Sequence, residues 1–89
     1  SSQSQVDKTS EVIPQEAINL VEQARKRLEK GDFQEAVEAT SDALNIYSDL
    51  GDAYLLRGIA YAGLDELERA IQNLKSAQKI YQRKNRKDR

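Results

Sequence analysis

Eighty-nine residues suffice for one small domain and no more, with hydrophobic residues at 38% and charged residues at 33% of the chain. Cysteine, histidine, methionine and tryptophan are absent, which excludes disulfides and thiolate chemistry and removes the usual ligands of zinc, iron–sulfur and haem sites. The net charge of -1 hides a basic end, with five basic residues and one acid from Arg83 to Arg89, and no apolar run is long enough to span a bilayer.

The chain opens on Ser1 without an initiator Met, as a processed product or an excised piece would. It holds no charged-then-apolar signal segment, and a cytoplasmic location is the expectation. Residues 1–13 read as a flexible leader, rich in Ser and Gln and without apolar periodicity. Pro14 suits a first helical position, where its missing N–H is no loss, and Glu16 follows in the positive first turn.

From there Ala, Leu, Glu, Gln, Lys and Arg dominate, and helices are expected over 15–29, 33–47, 50–63 and 67–83. Gly31 can take the left-handed conformation that ends the first helix. Asp32 can cap the second, with Glu35 completing a capping box. Ser48, Asp49 and Gly51 mark the next break. After Gly63, Asp65 and Glu68 repeat the capping spacing before the last helix, and residues 84–89 form a basic tail.

Sliding the chain on itself by 34 residues sets its organisation. Ala36 falls on Ala70, Ala43 on Ala77, Ile46 on Ile80 and Tyr47 on Tyr81, and character is kept where Val21 meets Leu55, Ala24 meets Gly58, Phe33 meets Leu67 and Val37 meets Ile71. Small residues let facing helices approach to about 8–10 Å. Ala24 with Ala36, and Gly58 with Ala70, can supply one such crossing in each unit.

These residues resemble the tetratricopeptide repeat, a 34-residue helix–turn–helix unit. The second unit carries the pattern best, in Tyr54-Leu55-Leu56-Arg57-Gly58-Ile59-Ala60-Tyr61 followed by Ala70, Leu74 and Ala77. The first keeps Ala24, Ala36 and Ala43, with Arg27 where the family favours Tyr and Thr40 where it favours a large apolar residue. Ser48 and Gln82 stand where the family closes on Pro. The resemblance implies an all-α fold of four helices, two antiparallel hairpins stacked as a short right-handed α-α solenoid. The domain would span 14–83, with units of about 17–50 and 51–83.

It also implies a non-enzymatic module that binds another protein, as adaptor, scaffold or assembly factor. The first helix of each hairpin would line the concave face, with Ile18, Val21, Glu22, Arg25, Leu28 and Glu29 from one and Asp52, Leu55, Leu56, Ile59 and Ala62 from the other. Of the positions that grip an acidic chaperone C-terminus in well-known members, only Arg25 has fitting chemistry, so that activity is not expected. Leu28 and Leu55 can equally be core. Leu56 and Ile59 stand apart from the face set by Tyr54, Gly58 and Tyr61, and are expected to be open. Ile18, Val21, Leu56 and Ile59 would then anchor an apolar helix or peptide, while Arg25 and Asp52 orient it.

Two units fall short of the three or so that stacked repeats need. An apolar surface should therefore be covered by a partner segment, by a second copy in a homodimer, or by Val6, Val12 and Ile13 of the leader. Gln78, where the first unit has Leu44, together with Lys75 and Lys79, suits an array end near residue 83. Nucleic acid is the weaker alternative. Arg25-Lys26-Arg27 is accounted for by a Glu22–Lys26 pair and the helix dipole, and the basic tail by a solvated helix end. No phosphate loop, nucleophile elbow or ligand-spaced carboxylate cluster points to catalysis, a metal or a cofactor.

Overall fold

The computed structural model describes residues 12–87, and side-chain surroundings through residue 86. Four helices follow one another: α1 (Gln15–Glu29), α2 (Phe33–Ile46), α3 (Gly51–Gly63) and α4 (Leu67–Lys87). Each packs on the next, and α3 also reaches back to α1. The result is an all-α domain, 47 × 26 × 17 Å, in which chain neighbours are also neighbours in space. No described helix is long and apolar enough to cross a membrane. The last helix runs on to Lys87, through positions read from sequence as tail.

The 34-residue period reaches the level of single hydrogen bonds. At the end of α1 the Gly31 N–H donates to the Leu28 carbonyl and the Asp32 N–H to that of Arg27, at 3.0 and 2.8 Å. At the end of α3 the Asp65 N–H donates to Ala62 and the Glu66 N–H to Tyr61, again at 3.0 and 2.8 Å. Both are Schellman closures, which satisfy carbonyls that a helix end would otherwise leave bare. Gly31 takes φ 80° and Asp65 takes φ 61°.

Three local expectations are corrected here. Asp65 is the left-handed residue that closes α3, so it does not cap α4; a short polar side chain is among the few that tolerate this conformation. Asp32 does stand at the N-cap of α2, but its side chain makes no capping bond and pairs instead with Arg27 at 3.5 Å. Pro14 is the N-cap of α1 and not its first helical residue; its carbonyl accepts from the N–H groups of Ala17 and Ile18 at 3.0 and 3.2 Å.

Small residues make the core. Ala17, Ala24, Ala36, Ala43, Ala53 and Ala60 are wholly buried, and the largest fully buried side chain is that of Thr40. Its hydroxyl donates to the Ala36 and Val37 carbonyls one turn back, so it enters the core satisfied. Larger side chains, among them Leu20, Leu28, Phe33, Leu44 and Tyr61, pack around this seam and stay partly open.

Gly58 shows how close the helices run. A Cβ at that position would lie 2.9 Å from Leu74 and 3.1 Å from the Ala70 carbonyl oxygen. The backbone oxygen cannot swing aside, so a side chain there must push α4 away from α3. Gly58→Val is expected to lower the unfolding free energy by about 1–3 kcal/mol, read by urea titration with far-UV circular dichroism. An unchanged midpoint would mean that α3 and α4 part at no cost.

Candidate partner-binding surface

Five of the eight residues expected to contact a partner come together. Ile18, Val21, Glu22 and Arg25 of α1 and Asp52 of α3 line one depression of about 190 Å³, joined by Ile13 and Leu50. Helical spacing brings the α1 residues to one face, and the first turn of α3 brings Asp52 against them. Val21 is nearly buried and forms the floor, while Ile18 stands open at the rim. Ile13, at the end of the leader, packs on the core and closes one side; Val6 lies outside the described residues.

The other three residues go elsewhere. Leu55 lines a second groove along α4 instead. Leu56, expected to be open, is only 5% exposed and belongs to the core. Ile59 is 44% exposed but lines neither the depression nor the α4 groove. The apolar stripe expected along α3 is therefore interrupted by a core residue, because that edge of the helix faces the core shared with α1 and α2.

Charge at the depression is arranged locally. Arg25 pairs with Glu22 at 3.5 Å, one turn apart on α1, and takes the place of the Glu22–Lys26 pair expected from the sequence. The Tyr81 hydroxyl donates to a carboxylate oxygen of Asp52, and its ring lies against Gly51, where a Cβ would meet it at 2.7 Å. Desolvation by burial, then the hydrogen bond and negative charge of Asp52, push the Tyr81 hydroxyl up to about 12, while the Arg25 charge pulls the other way. Two residues on, Arg83 pairs with the Asp49 carboxylate, and Lys84 approaches it at 3.9 Å. Both tail cations read as solvated thus hold α4 to the loop before α3.

A third polar cluster, not singled out in the sequence, ties three helices. Arg57 of α3 donates from Nε to Asn73 of α4 at 2.8 Å and from Nη1 to Ser41 of α2 at 3.0 Å. Its guanidinium also lies over the Tyr54 ring, 5.4 Å from the centroid. Asn73 in turn donates to the Arg69 carbonyl, so the buried amide is satisfied within the fold. Only the partners, placed by the packing, distinguish Arg57 from any other helical arginine.

Among the described residues no group of His, Cys, Asp or Glu is spaced to hold a metal ion. The arrangement offers shape, an apolar floor and a mixed-charge rim. No family model, curated protein or solved structure compared with the chain matches it.

Two measurements follow from these placements. Leu56→Ala is expected to cost about 2–5 kcal/mol of stability, whereas Ile59→Glu leaves the urea midpoint close to that of the parent. In an alkaline absorbance titration, a tyrosine transition near pH 12 is expected, lost in Tyr81→Phe and moved down in Asp52→Asn. The folded state favours the neutral phenol, so Tyr81's contribution to stability is complete below its ordinary value of 10 and disappears as pH rises through about 12.

Proposed function

We propose that the chain is a two-repeat tetratricopeptide-type module, a short right-handed helical solenoid, that binds a segment of another protein without catalysis or cofactor. The observation that carries this reading is the convergence of Ile18, Val21, Glu22, Arg25 and Asp52, from two helices, on one depression. The paired Schellman closures support the repeat assignment, since a 34-residue period would be accidental if it did not extend to backbone hydrogen bonds.

The chemistry of the depression narrows the ligand. Its floor and apolar walls, formed by Ile13, Val21 and Leu50, suit one aliphatic or aromatic side chain. Its rim carries two carboxylates, Glu22 and Asp52, against one guanidinium, Arg25, so a basic residue beside that apolar anchor gains the better field. The bound segment is therefore a short helix or extended peptide with an apolar residue next to a Lys or Arg. Nucleic acid is disfavoured by the same rim, and by the engagement of Arg83 and Lys84 with Asp49.

Selection of random peptides by phage display on the intact chain tests this. Recovered peptides are expected to share an apolar–basic pair, and Ile18→Glu and Arg25→Glu should each change their affinity at least about tenfold, roughly 1.4 kcal/mol. Ile18→Glu weakens binding by spoiling the rim; Arg25→Glu redistributes it toward more basic sequences. Peptides indifferent to both changes would place the binding surface elsewhere.

A further inference from the structure

The open side of α4 has an internal reference. Ile71, Leu74, Ala77 and Tyr81 help to line a groove of about 470 Å³. Thirty-four residues upstream stand Val37, Thr40 and Ala43 of α2 and its C-cap residue Tyr47, every one buried or half-buried, and α3 packs against that helix. In the second unit Ile71 is 52% exposed, and Leu74 and Tyr81 are open as well. The same helix-receiving face is thus filled once within the fold and left open once among the described residues.

A second copy cannot fill it by stacking head to tail. The buried residues Leu50, at the N-cap of α3, and Ala53 and Ala60 within it have Glu16, Asn19 and Lys26 as their counterparts in α1, and all three of those are exposed. Offering that surface to the open groove would bury charge and amide groups without partners. What remains for a second copy is a self-complementary contact of the open face with itself.

The sequence of α4 suits such a contact. Leu67, Ile71, Leu74, Gln78, Tyr81 and Asn85 recur at alternating steps of four and three, the spacing of a two-helix seam. Charge then fixes direction. Glu66 and Glu68 stand at the start of α4, and Lys84 and Arg86 near its end. Antiparallel helices bring each acidic start beside a basic end, whereas parallel ones would set like charges together.

We propose that the chain forms a two-fold homodimer through antiparallel pairing of α4 with α4 of a second copy, the axis passing near Ser76. Ile71 of one copy then lies opposite Tyr81 of the other, and Leu74 opposite Gln78. Gln78 and Asn85 each face an apolar residue of the other copy, Leu74 and Leu67, so the seam is weak and the dimer dissociates on dilution. This surface adjoins the depression between α1 and α3 at the Tyr81–Asp52 hydrogen bond, while Ile18 lines the depression and not the α4 groove.

Light scattering on the full chain over a dilution series tests the proposal. The expected mass rises from that of the 10.1 kDa monomer toward twice that value with concentration. Ile71→Glu holds the chain monomeric with unchanged helicity, and Leu67→Glu, at a position 58% exposed, does the same should Ile71→Glu lose helix content. Glu68→Lys weakens the dimer about tenfold or more, and Arg86→Glu in the same chain restores it. A monomer at the highest concentration overturns the proposal, as does a dimer indifferent to both apolar substitutions. A dimer that Glu68→Lys strengthens overturns the antiparallel order. Ile18→Glu leaves the mass unchanged, so failure of peptide binding and failure of dimerisation are read separately.

Discussion

Close approach of helices through small residues is the constraint on which the remainder of this structure depends. Where the helices meet, the chain provides Ala24, Ala36, Ala43, Ala53, Ala60 and Gly58, and the backbones come so near that a methyl group at Gly58 would strike Leu74 and the Ala70 carbonyl. Dispersion grows with atomic contact, and short interaxial distances give many contacts with few side-chain rotamers to freeze. A core built this way is thin, so the large aliphatic and aromatic side chains are displaced to the edges of the seam. Their exposure is a consequence of the packing mode, and it leaves the chain with surfaces able to receive other elements.

The same thinness explains why polar groups carry part of the tertiary structure. Arg57 spans from Ser41 to Asn73 and so fixes α2, α3 and α4 relative to one another. Asp49, in the loop between α2 and α3, and Asp52, in the first turn of α3, hold the far end of α4 through Arg83, Lys84 and Tyr81. An exposed ion pair is worth about 0–1 kcal/mol, so Arg83 or Lys84 alone decides little. Tyr81 differs, because its ring covers Gly51 while its hydroxyl meets Asp52 in the first turn of α3. One side chain therefore joins the packing of α4 to the charged rim of the α1–α3 depression.

The helices were legible in the sequence because their ends are written in backbone chemistry. Gly31 closes α1 as its type allows, and the starts at residues 33 and 67 sit one 34-residue period apart. Asp65 was misread because Asp is the commoner choice at an N-cap, and only the period, which sets it on Gly31, signals a left-handed residue. Of the site, the α1 residues and Asp52 were legible from helical spacing and the family resemblance. Leu56 was not. Hydrophobic periodicity shows that a helix has an apolar stripe, but which edge of the stripe is covered depends on the crossings, and here the Leu56 edge faces the core. The roles of Arg83 and Lys84 were equally hidden, since their partner Asp49 lies more than thirty residues away.

The two ends of the helical stack are chemically unlike, and that asymmetry shapes what the domain can do. At the α1 end, the positions that pack inward in α3 are occupied by Glu16, Asn19 and Lys26, so water is the natural neighbour there. At the α4 end, Leu67, Ile71 and Leu74 remain open beside the groove lined by Leu55 and Tyr81. Identical stacking surfaces at both ends would drive open-ended polymerisation, because a head-to-tail contact that does not close propagates. One polar end and one apolar end prevent this, and restrict self-association to a contact that terminates at two copies. The depression between α1 and α3 meets that contact at the Tyr81–Asp52 bond and opens beside it, so a domain paired through α4 would still present one depression on each copy.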